Sequence, residues 1–267
     1  MSFDFDTVHD RRDTDSLKWG RYRGRDVIPM WVADMDFPSP PPILEALHQR
    51  VGHGIFGYAS PPQELIEVVV ARMREKYRWE IDPAWLVWLP GVVPALNIVC
   101  RAYGDDGDEV VAFTPVYPPF LAAPPRFGKT LRTIPLRREG GLYTFDAERF
   151  EREISSRSRI LLLCNPHNPV GRRYDRREIE CIAQICVAHD ILICSDEIHC
   201  DLILDGGPHI PTATLGAAPG SRSQDVAMED PPDRQMAGCR HISVRGASAA
   251  IRRLAPAASA APPTNST

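Results

Sequence analysis

The sequence of 267 residues predicts an α/β domain with a mostly parallel sheet between helices. Three observations carry that prediction. Residues 160–164 and 191–194 are apolar throughout rather than alternating, as strands covered on both faces are. Between them, residues 175–189 place Ile179, Ile182, Ala183 and Cys186 on one helical face. Polar residues suited to ligand binding directly follow the apolar runs, at the strand ends where such sheets hold ligands.

Over residues 41–205 the two patterns alternate. Ile43, Leu44, Leu47 and Val51 recur at helical spacing, and so do Leu65, Val68, Val69 and Met73. Residues 85–89 are a short apolar run stopped by Pro90-Gly91, and residues 95–103 read as a helix. A strand over residues 109–113 is ended by Thr114-Pro115. Another over residues 130–136 is closed by the turn signal Glu139-Gly140-Gly141. The strand over residues 159–164 runs straight into an asparagine–proline loop, and the next carries Asp196 and Glu197 at its carboxyl end.

After Leu215 the pattern fails. Paired prolines at 231–232 and 262–263 stand among Ala, Ser and Arg. This composition predicts a tail without a good sheet strand, Arg240 to Val244 being the one weak candidate, and disorder over the last dozen residues. The expected organisation is an N-terminal arm over residues 1–40, an α/β domain over 41–216 and an aberrant tail over 217–267. No internal repeat is present.

A net charge of -4 supplies no basic field for nucleic acid or a membrane surface. Seven cysteines, an odd number, and an acidic start without a leader predict reduced thiols in a cytoplasmic protein. Cys181, Cys186, His189, Cys194 and Cys200 match no paired metal-ligand spacing and read as small apolar residues. No apolar run reaches the length of a membrane span.

The residues at the strand ends suit a ligand with a pyridine ring and a phosphate. Asp196 can face a protonated ring nitrogen, and the Asn168 amide can donate to a phenolate oxygen. Tyr117 sits on a stiff proline loop and can cover a ring face. Gly91-Val92-Val93 opens a helix, where free N–H groups and the helix dipole favour an anion. Taken singly, each has a plainer reading as a turn former, a cap or surface packing. Their order at successive strand ends favours the joint one.

Several ordered motifs add a resemblance. They are Met30-Trp31-Val32-Ala33-Asp34-Met35-Asp36-Phe37, Gly54-Ile55-Phe56-Gly57-Tyr58, Pro90-Gly91-Val92-Val93-Pro94-Ala95-Leu96-Asn97 and Pro115-Val116-Tyr117-Pro118-Pro119-Phe120. Cys164-Asn165-Pro166-His167-Asn168-Pro169-Val170-Gly171 and Ser195-Asp196-Glu197-Ile198-His199 complete them. Together they resemble the MalY/PatB branch of fold-type I pyridoxal-phosphate enzymes, related to class I/II aminotransferases and containing cystathionine β-lyase-like carbon–sulfur lyases. The resemblance implies pyridoxal 5'-phosphate as cofactor, a small sulfur-containing amino acid as substrate and a homodimer. It implies phosphate-binding backbone at Val92 and Val93, a stacking ring at Tyr117 and ring-oxygen contacts at Asn168 and His199. Asp196 is the implied pyridinium partner, and Tyr58 the tyrosine that reaches the neighbouring subunit's phosphate. The segment from Trp31 to Phe37 is implied to close over substrate.

The pattern breaks at the residue that relatives use to hold the cofactor and remove the substrate's α-proton. Lysine occurs only at Lys18, Lys76 and Lys129. The window that should carry a Ser-Lys segment reads 227–238 without one, and the small C-terminal domain is missing from the pattern. Arg234 cannot substitute, because a guanidinium stays protonated. A shifted frame or truncated coding sequence from about residue 217 accounts for these features together. An apolar face left bare is expected. The expected function is a carbon–sulfur β-lyase by descent, inactive in this chain for want of its lysine. The alternatives are an aminotransferase, and a non-catalytic remnant or partner of an intact subunit.

Overall fold

The computed structural model describes residues 3–215 together with the backbone of two later strands, 241–245 and 248–249. The chain divides into two compact units, Met1–Ser60 and Pro61–Thr267. The sequence division at residue 40 therefore falls inside the first unit.

In the first unit, α1 (Leu17–Gly20) is a single turn capped by the Ser16 side chain. Helix α2 (Pro41–His53) starts on a proline, which suits the first turn, and stops at Gly54 in the left-handed conformation. It is amphipathic but buries no residue, and Ile43, Leu47 and Val51 stand more than half exposed.

The second unit begins with α3 (Gln63–Tyr77) and α4 (Val92–Ala102), with a 3-10 turn over Pro83–Trp85 between them. Strand β1 (Glu109–Thr114), α5 (Pro118–Ala122) and β2 (Thr130–Pro135) follow. The Gly140-Gly141 turn joins β3 (Arg137–Glu139) to β4 (Leu142–Thr144) as a hairpin, both glycines at positive φ, 56° and 86°, as a tight hairpin requires. Then come α6 (Ala147–Glu153), β5 (Ser158–Cys164), α7 (Arg176–Ala188) and β6 (Leu192–Asp196). Helix α7 starts where the sequence expects, on a reciprocal capping box between Asp175 and Glu178.

The main sheet has the order β2-β1-β5-β6-β7-β8, where β7 is His241–Arg245 and β8 Ser248–Ala249. Every pairing up to β7 is parallel. The weak strand candidate at 240–244 is thus a real strand, and the expectation of a tail without a good strand is corrected there. Strand β7 pairs with the side of β6 opposite β5 through backbone groups, which an extended segment can supply whatever its polarity. The 227–238 window, Arg234 and the last dozen residues lie outside the described residues.

Strand alternation sorts the core into two layers. Val110, Ile160, Leu162, Cys164, Leu192 and Cys194 pack with α4 and α5, while Val111, Phe113, Leu161, Leu163 and Ile193 pack with α6 and α7. Each fully buried aliphatic side chain contributes roughly 1.5–3 kcal/mol, so two covered faces explain why these strands are apolar throughout. Among the described residues no helix is long and apolar enough to cross a membrane.

Candidate functional site

Helix α4 leads into the amino end of β1, so its C-terminus lies at the amino edge of the sheet. Its 11 residues rise about 16 Å, which carries its N-terminus toward the carboxyl edge. Gly91 precedes it at φ 141°, a conformation that favours glycine, and leaves the first N–H groups of the helix at Val92 and Val93. Val92 packs on the same core layer as Cys164 and Cys194.

Asp196 ends β6 and continues the alternation of Leu192 and Cys194, toward the α4 side of the sheet. It is 3% exposed. Burial pushes its carboxyl up to about 6, helped by the neighbouring charge of Glu197 and opposed by the Ile198 N–H, which donates to it at 3.0 Å. Among the described residues no cation forms an ion pair with it. A buried acid with one donor and no counter-charge fits a protonated ring nitrogen, which supplies both.

The loop after β5 is fastened to this end. Cys164 is the register partner of Asp196, and the Asn165 N–H donates to the Asp196 carbonyl at 2.9 Å. The Asn168 N–H points to Cys164 Sγ at 3.4 Å. Burial pushes the Cys164 thiol up to about 12, with Asp196 adding to the shift, so this thiol is a packing group rather than a nucleophile.

His167 ties the same loop to the one that carries Tyr117. Its Nε2 lies 2.8 Å from the Pro115 carbonyl, which can only accept, so Nε2 carries the proton. Nδ1 is then the acceptor for the Tyr174 hydroxyl at 3.1 Å. Burial lowers the His167 pKa and raises that of Tyr174, which keeps both neutral. Two residues past Pro115, Tyr117 stands 39% exposed at the start of α5, between the buried Val116 and Phe120.

Asn168 and His199 line one cavity of about 640 Å³, with Arg172, Leu202 and Leu204 also on its walls. Asp196, Tyr117 and Val92 do not line it. The structure therefore brings Asn168 and His199 onto a common cavity and sets the others around the same sheet edge. Tyr58 belongs to the first unit and is fully exposed there. Also in that unit, Asp36 accepts from Lys18 at 2.6 Å and from Trp19 Nε1 at 2.9 Å, and Arg11 reaches Asp34 and Asp36 at 3.0 Å each. These contacts hold the segment from Trp31 to Phe37 at its acidic end.

Sequence reasoning missed His167, Tyr174 and the Asn165 backbone. The available signal was a histidine enclosed between two asparagine–proline pairs, where turn residues alone leave a loop unanchored. Among the described residues no group of three or more His, Cys, Asp or Glu could hold a metal ion.

A parallel sheet with a buried acid lacking a cation partner and an anion-ready helix start at its carboxyl edge defines an α/β fold suited to holding a ligand there. The chain belongs to the aminotransferase class I and II family, whose profile matches residues 25–226. It is 40% identical to cystathionine beta-lyase PatB of Bacillus subtilis over 216 residues, 79% of this chain and 56% of that protein. The crystal structure of OvoB superposes with a TM-score of 0.81 at 41% identity, covering 94% of this chain and 65% of that one. Cystalysin from Treponema denticola, solved with pyridoxal 5'-phosphate, gives a TM-score of 0.81 at 29% identity over 93% of this chain and 63% of its own. The chain thus spans little more than half the length of the curated relatives it matches.

Proposed function

We propose that this chain carries the cofactor floor of a pyridoxal-phosphate-dependent carbon–sulfur β-lyase and holds the cofactor without a covalent bond. The observation that carries the reading is Asp196, a buried carboxylate without a cation partner among the described residues, register-paired with the base of the Asn168 loop. The 40% identity to a cystathionine beta-lyase supports a sulfur-containing amino acid as substrate.

When bound, the cofactor supplies an electron sink for charge developing at the substrate's α-carbon. Asp196 would accept from the ring N–H and hold that proton in place, which would strengthen the sink. Asn168 would donate its amide to the ring oxygen, with His199 as a second contact, Tyr117 would cover the ring, and the Val92 and Val93 N–H groups would take the phosphate. In a homodimer, Tyr58 would reach the phosphate of the neighbouring subunit.

The chain provides no amine for attachment. Lys129 Nζ donates to the Gly104 carbonyl at 2.7 Å from a buried position just before β2, at the amino edge. Lys76 is paired with Asp201, and Lys18 with Asp36. Without a lysine base to remove the α-proton, β-elimination loses its first step.

The purified chain is expected to bind pyridoxal 5'-phosphate reversibly, to retain none after borohydride reduction, and to release no pyruvate from cystathionine above background. A reduced adduct on any lysine, or pyruvate release at an enzyme-like rate, refutes the non-covalent reading. Keto-acid exchange without pyruvate points to an aminotransferase instead.

A further inference from the structure

The acid that follows Asp196 has both oxygens engaged inside the protein. Glu197 is fully buried. Its Oε1 accepts from Ser195 Oγ at 3.0 Å and from the Thr212 N–H at 2.9 Å, and its Oε2 lies 3.0 Å from His209 Nε2. His209 Nδ1 is buried with no hydrogen-bond partner. Burial tolerates an unpaired lone pair better than an unpaired N–H, so His209 Nε2 is the donor of its bond to Glu197. The Tyr77 ring meets the His209 ring edge-on at 5.8 Å.

These bonds join two ends of one loop. Residues 198–211 leave β6 directly after Asp196 and Glu197 and return at Thr212. They carry His199, Leu202 and Leu204 on the cavity wall. Midway, Asp201 is held by Arg72 at 2.7 Å, by Lys76 and by the Tyr77 hydroxyl at 3.1 Å. Asp205 is held by Arg173 at 3.1 Å. The middle anchors are exposed and worth little each in water, whereas the Glu197 closure is dry.

We propose that Glu197 is a positioning residue, a buried buckle that closes the 198–211 loop on the end of β6 and so holds Asp196 and His199 where the cofactor's ring is received. This rests on the cofactor reading above and adds a residue to it. The titratable groups facing the pair are the Cys164 and Cys194 thiols beside Asp196, and His209 with Tyr77 beside Glu197.

Two variants separate the buckle from the charge. His209→Phe keeps the Glu197 charge and a ring against Tyr77 but removes a donor. Glu197→Gln keeps the size and still accepts from Ser195 and Thr212, but removes the charge. The unaltered 267-residue chain, both variants and Asp196→Ala are titrated with pyridoxal 5'-phosphate by tryptophan fluorescence across pH 5–8.5, with amide hydrogen exchange on the loop. His209→Phe is expected to weaken binding at least fivefold at every pH, with faster exchange in the loop but not in β5. Glu197→Gln is expected to move the acid limb of binding to lower pH, because Asp196 loses a neighbouring negative charge; a role confined to stability would leave that limb in place. Binding within twofold of the unaltered chain in both variants, with loop exchange and the acid limb unchanged, overturns the buckle. Should Asp196→Ala bind as well as the unaltered chain, the cofactor reading fails first and takes the buckle's purpose with it.

Discussion

Replacing Arg132 with methionine is expected to destabilise the second unit by about 2–3 kcal/mol at neutral pH, by leaving a buried carboxylate only the more distant Arg157, 3.8 Å away, as counter-charge. Glu109 at the start of β1 is fully buried. Arg132 grips it with both arms, at 2.9 and 2.6 Å, and the Ser155 and Ser158 hydroxyls add bonds of 2.8 Å each. The Arg132 bond is the main cause that pulls the Glu109 carboxyl down to about 2. Arg132 itself is about one-third exposed, and that screening sets the lower end of the range. The folded pKa lies below the unfolded one near 4.3. The pair's contribution is therefore complete above that value and is lost as pH falls through about 2. Denaturant unfolding of both proteins at pH 7 and pH 2.5 checks this. A stability gap as wide at pH 2.5 as at pH 7 would mean that Arg132 acts through its packing.

Asp196→Asn is expected to work in opposite directions on binding and on stability. A neutral amide cannot pair with a protonated ring nitrogen in a buried site. Losing one partner of such a pair costs about 2–5 kcal/mol, or roughly 30-fold to several thousand-fold in cofactor affinity. The same change relieves the apo protein. The Asp196 carboxyl is raised to about 6 when folded, against about 3.9 unfolded. The folded state therefore holds its proton more tightly, and stability declines as pH rises between the two values. Above about pH 6 that penalty is complete, and the variant is expected to unfold about 1–2 kcal/mol later, the amide's own burial offsetting the rest. Below pH 4 that gain should be lost, leaving the variant no more stable than the parent. Calorimetry across this range, beside a cofactor titration, tests both signs. A variant that binds normally, or one that is less stable than the parent at pH 7.5, contradicts the assignment.

The sheet was legible because its strands are covered on both faces. Residues 160–164 and 191–194 need an apolar side chain at every position, and that demand leaves a run no surface segment imitates. The Asp175–Glu178 capping box set the start of α7 in the same local way. Asp196 and Asn168 could be singled out because they directly follow such runs. What stayed hidden is what sequence separation hides. His167 reaches Pro115 across 52 positions, and Glu197 meets His209 across 12. No local period records either bond. Strand β7 was nearly invisible for another reason, since its pairing with β6 draws on backbone groups that every residue has. The acidic end of the Trp31–Phe37 segment carries a similar lesson. Its aspartates suggest chemistry, while in its own unit they are occupied by Arg11 and Lys18.

The two ends of the sheet are fastened by different means. A bidentate ion pair closes the amino edge at Glu109, whereas the carboxyl edge is closed by bonds from His167 and the Asn165 backbone and by the buried Glu197. A strand of this length separates the edges by about 20 Å, well beyond the reach at which substitutions interfere with one another. Binding residues can therefore drift while the fold persists, and a lineage relieved of catalysis would keep a foldable sheet long after its chemistry had decayed.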